Sequence, residues 1–196
     1  MVKKITNNKF IRLYLDNYGR KYYLRELSSL LKKSHQTIKP HLETLVKDGI
    51  MVKTERKNII EYGLNMKDNR VYEYLIIAEK ERMMERLKED TTFGVLFERL
   101  SNFFRNNTFI VFGSSVDAIR KESDIDILVI GRDRLSKTLE EFENIYNKKI
   151  HKIQVSDIEK LTPTLIKEIY KKHIILNNTE YVIRFFGDLY GQNKLV

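Results

Sequence analysis

Two aspartates one residue apart, Asp124 and Asp126, follow a Gly113-Ser114 pair after a nine-residue spacer. The glycine and serine end an apolar run, Thr108 to Phe112, and the aspartates stand in a second apolar run that continues to Ile130. Residues i and i+2 of a strand point to one face. The two carboxylates are therefore expected side by side, with Ile125, Ile127 and Val129 turned into the core. Paired hard oxygen donors suit Mg2+, which usually binds one or two carboxylates together with substrate phosphates. Two such ions stabilise both the attacking and the leaving oxygen of phosphoryl transfer. Gly113 lets a phosphate approach the backbone closely. Ser114 adds a hydroxyl, and the amides of a following helix N-terminus favour an anion. Asp-x-Asp alone, or Gly-Ser alone, is an ordinary strand or turn. Their order between two β-rich runs points to metal-dependent handling of a nucleoside triphosphate.

The surrounding elements fit that chemistry. Helices are expected at Phe93 to Phe104, Leu135 to Tyr146, Thr164 to Lys172 and Thr179 to Tyr190. Further strands are expected at Lys149 to Val155 and Ile174 to Leu176. Strand, turn, strand, helix, strand suits a mixed sheet with flanking helices. Over roughly Phe93 to Leu176 the pattern resembles the minimal nucleotidyltransferase domain of the polymerase-β superfamily. The resemblance implies that Gly113 and Ser114 bind the triphosphate, and that Asp124 and Asp126 hold the metal ions and are the catalytic pair. Active enzymes of that superfamily usually carry a third carboxylate on a later strand, commonly the base for the attacking hydroxyl. The matching strand here, Lys149 to Ser156, contains no Asp or Glu. Its polar members besides lysine are His151, Gln154 and Ser156, and the Asp157 that follows reads as a helix N-cap.

The 196 residues hold one large or two small domains. There is no cysteine, which excludes disulfides and thiolate metal sites, and the four histidines show no ligand spacing. No apolar run approaches the ~18 residues of a membrane span, and no signal-peptide core begins the chain. A cytoplasmic protein without membrane contact is expected.

Charge is unevenly placed. Residues 1–66 hold 14 Lys and Arg against 6 Asp and Glu, a balance of +8 out of the chain's +9. Concentration of the excess in one third of the chain suggests a polyanion-binding module. Helical spacing is read at Asn7 to Asn17 (Phe10, Ile11, Leu13, Tyr14, Leu15) and at Tyr23 to Lys32 (Leu24, Leu27, Leu30, Leu31). A third helix runs from an N-cap at Ser34 to about Asp48, with Ile38, Leu42 and Leu45 inward, Pro40 inside it and Gly49 closing it. Met51 to Arg56 and Ile59 to Leu64 read as a hairpin around Lys57-Asn58. This is the layout of a winged helix-turn-helix, and Asn8 to Leu64 resembles the small archaeal and bacterial regulators of that fold. By the docking geometry of such modules the third helix enters the major groove of double-stranded DNA. The candidate contacts are His35, Gln36, Thr37, Lys39 and His41 from the helix, and Lys33, Lys53, Arg56 and Lys57 toward phosphates.

The sequence thus predicts an α+β chain. A winged helix-turn-helix occupies residues 1–66, a connector helix 67–92 and a nucleotidyltransferase-like domain 93–196. The connector is read from Asp68 to Glu89, with an apolar repeat at Val71, Leu75, Ile76, Met83, Met84 and Leu87 that suits a dimer seam. The first reading is a DNA-binding transcriptional regulator or antitoxin-like protein. It binds Mg2+ and a nucleoside triphosphate, transfers a nucleotide to a toxin or other protein partner, and forms a homodimer on two half-sites. A second reading keeps the DNA-binding head and makes the other domain a non-catalytic nucleotide sensor or partner-binding module. A third is an enzyme that modifies a small molecule or an RNA end.

Overall fold

The computed structural model describes residues 6–56, 59–119 and 124–195, and for Arg56 the backbone alone. The chain is a mixed α+β protein of two compact units. The first comprises residues up to Ala78 together with Ile183–Lys194, and the second comprises Glu79–Val182. The division falls within two long helices, Arg70–Glu89 and Thr179–Gly191.

In the first unit, α1 (Asn7–Arg12) is followed by β1 (Tyr22–Tyr23), α2 (Leu24–Leu31), α3 (His35–Lys47), β2 (Met51–Arg56) and β3 (Ile59–Leu64). The expected first helix is shorter than its apolar stripe. The carbonyl of Leu13 accepts from the Tyr22 hydroxyl at 3.0 Å, and the chain beyond Arg12 closes in i→i+3 turns. Phe10, Ile11, Tyr14 and Leu15 are buried all the same. The third helix starts as its cap requires, with Ser34 Oγ accepting the Thr37 N–H. It continues through Pro40 and ends where Gly49 takes a φ of +76°, a conformation that favours glycine. Ile38, Leu42 and Leu45 are buried as expected, whereas on α2 only Leu27 is; Leu30 is exposed. β3 lies between β1 and β2 in an antiparallel sheet of order β1-β3-β2. The strand at Tyr22–Tyr23 has no counterpart in the sequence reading, because two residues carry no periodicity. In the same unit the end of the C-terminal helix packs closely: a Cβ on Gly187 would lie 2.1 Å from the Tyr72 ring.

In the second unit the second half of α4 (Arg70–Glu89) leads to α5 (Thr91–Ser101), which Asp90 caps by accepting the Phe93 N–H at 3.0 Å. Then come β4 (Thr108–Phe112), a 3-10 turn (Gly113–Val116), β5 (Ile125–Ile130), α6 (Ser136–Tyr146), β6 (Ile150–Val155), α7 (Pro163–Lys171), β7 (His173–Ile175) and the start of α8 (Thr179–Gly191). The four strands form one mixed sheet of order β6-β5-β4-β7. β5 and β6 are parallel, so a crossover must join them, and α6 supplies it. The other pairings are antiparallel. Ile125, Ile127 and Val129 pack into a core with Phe109, Val111, Leu139 and Phe142. Leu128 is buried too, so β5 is covered on both faces and Asp126 is its one polar residue. The outer edge of β7 is covered rather than open: Ile175 donates its N–H to the buried Glu79 carboxylate at 2.7 Å. Among the described residues no helix is long and apolar enough to cross a membrane.

Candidate functional site

The register of the second sheet brings four chain segments to one end of it. Phe112 pairs with Asp126, Asp126 pairs with His151, and Phe112 pairs on its other side with His173. The end of β4 thus meets the starts of β5, β6 and β7 in one row across the strands. Exposure falls along that row. The His151 side chain is 68% exposed and Asp126 27%, whereas Phe112 and His173 are buried.

Gly113 follows directly on β4. Its φ of +71° suits glycine, and a Cβ there would lie 2.7 Å from Asp126 Oδ2. Glycine is thus required twice, by the turn and by the carboxylate packed against it. The Gly113 N–H donates to the Lys172 carbonyl at 3.2 Å, which ties the turn to the start of β7. Ser114 is exposed. Its neighbour Ser115 is buried and donates to the Phe112 carbonyl at 3.1 Å, holding the turn closed. The helix expected after the Gly-Ser pair is only the 3-10 turn, four residues long. The middle of the spacer is held by Asp90, whose carboxylate accepts the Ile119 N–H at 3.3 Å and pairs with Arg86 at 2.6 Å. Burial works against ionisation of Asp90, but the Phe93 and Ile119 N–H groups and the Arg86 guanidinium outweigh it and hold its carboxyl below the ordinary range. Residues 120–123 of the spacer lie outside the described residues.

Asp124 stands one residue before β5 and is exposed, whereas Asp126 is inside the strand. On β6, His151 Nδ1 lies 3.2 Å from Asp126 Oδ1. Gln154, the next polar residue expected on that strand, points elsewhere and donates to the carbonyls of Gly131 and Asp133. Asp157 caps the short turn Ile158–Lys160 by accepting the Glu159 N–H, the role expected of it. Among the described residues no three His, Cys, Asp or Glu side chains converge as a metal cage. The donors that do meet, Asp126 and His151, fit a divalent ion completed by phosphate oxygens and water. The missing Cβ of Gly113 leaves room for the Asp126 carboxylate itself, whose Oδ2 packs against the turn.

Beside the turn lies an open cleft of about 610 Å³, lined by Gly113, Pro163, Thr164, Lys167, Glu168, Lys171 and Lys172. Lys172 also pairs with Asp117 at 2.7 Å. The lysines suit phosphate oxygens. They carry no motif that marks them in the sequence, although Lys167 and Lys171 stand at i and i+4 of α7 and share one face. His173, in the same row, is no candidate ligand: Nδ1 sits 3.1 Å from the Ile169 carbonyl inside the unit. Burial, with Arg82 nearby, pulls its pKa well below the usual value and keeps it neutral.

In the first unit, His35, Gln36, Thr37 and Lys39 are exposed on the first half of α3. Thr37 Oγ1 shares a 2.9 Å hydrogen bond with Ser34 Oγ, and Lys39 lies 3.9 Å from Glu43. His41 is set apart from them. It is half-buried, its Nδ1 is 3.0 Å from Asn7 Oδ1, and its ring lies 5.8 Å from that of Phe10. Lys33 is half-buried between α2 and α3, and Lys53 is exposed on β2. Arg56 ends β2. Lys57 lies outside the described residues.

Residues 98–181 match the family model described as "Polymerase beta, Nucleotidyltransferase". The match bears out, for that stretch, the resemblance drawn from Gly113-Ser114 and Asp-x-Asp. No curated protein matches the chain. Among solved structures, the chain is similar to a toxin-antitoxin MntA-HpeT mutant at 13% identity, covering 51% of this chain and 86% of that one, with a TM-score of 0.38. It is also similar to a toxin-antitoxin structure with AMP-PNP at 14% identity, covering 50% and 87%, with a TM-score of 0.36. A third likeness, to HmgR from Pseudomonas aeruginosa, has 14% identity, coverage of 65% and 47%, and a TM-score of 0.27. Likenesses this weak assign no function to the chain.

Proposed function

We propose that this chain is a DNA-binding, antitoxin-like regulator whose second unit binds a nucleoside triphosphate with Mg2+ or another divalent ion and transfers a nucleotide to a hydroxyl of a protein partner. One observation carries the nucleotide part. Inside the stretch matched by the nucleotidyltransferase model, Gly113 is packed without a Cβ against Asp126, at the mouth of a lysine-lined cleft. Asp126 and the neighbouring Asp124 are the groups to hold the ion, and Gly113 and Ser114 the groups to meet the phosphates. The ion supplies charge neutralisation of the triphosphate. The lysines of the cleft favour its tail, and the buried sheet beneath keeps the row rigid.

DNA binding is supported by the +8 balance of residues 1–66 and by the exposed His35, Gln36, Thr37 and Lys39 near the start of α3. Three helices followed by a hairpin suit a winged helix-turn-helix placing α3 in the major groove. Lys33, Lys53, Arg56 and Lys57 are its candidate phosphate contacts. Such a module reads one half-site, so the proposal includes a homodimer.

A second reading, nucleotide sensing without transfer, is favoured by one feature: β6 offers His151 rather than a carboxylate beside Asp126. Calorimetry with ATP, with and without Mg2+, and incubation of ATP labelled at the α-phosphate with extract of the source cells separate the readings. Transfer predicts a labelled polypeptide that is absent with Asp126→Ala. Metal-dependent binding with no labelled product leaves the sensor, and no binding by wild type overturns both.

A further inference from the structure

We infer that His151 is a metal ligand, and that the Asp126–His151 pair takes a borderline divalent transition ion in preference to magnesium. The inference rests on the nucleotide reading above for the presence of an ion, and on this chain's own donors for its identity.

Three observations converge. The first is register: Asp126 and His151 are direct partners across the parallel β5–β6 pair, so both side chains leave one face at the same level. The second is spacing. Two donors ~2.1 Å from one octahedral ion, at right angles to each other, lie about 3.0 Å apart. Asp126 Oδ1 and His151 Nδ1 are hydrogen-bonded at 3.2 Å, so an ion can take the place of the shared proton with little movement of either side chain. The third is access. The His151 side chain is 68% exposed, and Asp126 Oδ1 is left to it because the other carboxylate oxygen, Oδ2, is the one packed against Gly113. The other histidine of the row, His173, is buried with its Nδ1 at backbone carbonyls, so the nitrogen donor can come only from β6.

The choice of ion follows from the donor chemistry. Mg2+ demands oxygen ligands and keeps its water reluctantly exchanged. Imidazole nitrogen suits Co2+, Ni2+ and Zn2+ far better. Replacing a carboxylate by a neutral imidazole also removes one negative charge from the set. That loss weakens the electrostatic hold on any divalent ion, and the imidazole bond offsets it only for the softer one. Any oxygen site binds Co2+ above Mg2+ to some degree, so the diagnostic is how the ratio of the two affinities depends on residue 151.

The test uses the full-length protein without a histidine tag and without nucleotide. Co2+ and Mg2+ are titrated by calorimetry into wild type, His151→Ala and His151→Asp. Pulsed EPR of the Mn2+-loaded wild type and His151→Ala reads 14N coupling from a bound imidazole. Unchanged thermal melting verifies that the variants fold. The expected result is a loss of about tenfold or more in Co2+ affinity for His151→Ala, with Mg2+ affinity within about twofold of wild type. His151→Asp should lower the Co2+ to Mg2+ ratio by raising the affinity for Mg2+. The 14N coupling should be present in wild type and absent from His151→Ala. A Co2+ affinity unchanged in His151→Ala, or a 14N coupling that survives it, overturns the inference. No nucleotide is present, so a protein that passes this test yet never binds ATP overturns the transferase reading alone.

Discussion

The exposed face of α3 and the end of the β6-β5-β4-β7 sheet are built in opposite ways. On α3 the candidate contacts His35, Gln36 and Lys39 lie within five consecutive residues of one helix, so helical geometry alone sets their spacing. At the sheet end, Gly113, Asp126 and His151 come from a turn and two strands, and only the hydrogen-bonded registers bring them together. A locally encoded surface should lose function gradually as single contacts are removed. A site assembled by register should fail when one packing constraint is broken.

The largest effect is therefore expected at the turn. Gly113→Ala puts a side chain at positive φ and against Asp126 Oδ2, which should cost about 3 kcal/mol and abolish metal-dependent ATP binding. Chemical denaturation and calorimetry measure both. Retention of stability and binding would mean that the site does not depend on this packing.

On the α3 side, loss should be graded and salt-sensitive. If four phosphates are contacted, raising salt from ~50 to ~200 mM should weaken duplex binding roughly 100-fold. Fluorescence anisotropy of the full chain on duplex DNA reads this, and salt-independent binding would remove the nucleic-acid role. Within the same face, Gln36→Ala should cost about 2 kcal/mol at one base pair and change sequence preference. Lys53→Ala should weaken all sequences alike and reduce the salt slope by about one. If the two variants behave identically in a binding-site selection, α3 does not read bases.

The row of the sheet also makes a pH prediction. His173 is held neutral in the folded protein, because burial pulls its pKa well below the usual value. The unfolded chain takes up the proton as pH falls through ~6.5 and the folded chain does not. Stability from this group is thus present above that pH and lost below it, by about 1.4 kcal/mol between pH 7.5 and 5.5. Denaturation of wild type and His173→Asn across that window should show the steeper loss in wild type. Equal slopes would place the titration elsewhere.

The smallest effect belongs to the cap. Ser34→Ala removes the 3.3 Å bond from the Thr37 N–H and should cost about 0.5–1 kcal/mol. A similar decline in DNA affinity would tie the readout face to this first turn, whereas unchanged binding would separate them.

Much of this molecule was legible as sequence, because much of it is local. The Ser34 cap, the Gly49 stop, the paired strands Met51–Arg56 and Ile59–Leu64, and the order of helices and strands from Thr91 onward all follow from spacing and propensity within single elements. Gly113 and Asp126 were legible as types in a pattern. Tertiary structure decided the rest. It turned His41 toward Asn7 and Phe10, away from the exposed start of α3. It left Leu30 in solvent although its spacing matches that of the buried Leu27. It added a strand at Tyr22–Tyr23 through pairing with β3. It also set His151 against Asp126, which is 25 residues earlier. The physical reason is common to all four. Periodicity states which residues of one element share a face, but what that face meets depends on backbone ladders and packing between elements distant in the chain. A shift of one residue in the β5–β6 register would turn His151 to the opposite face. Its type and strand could be read from the sequence; its partner was fixed by the fold.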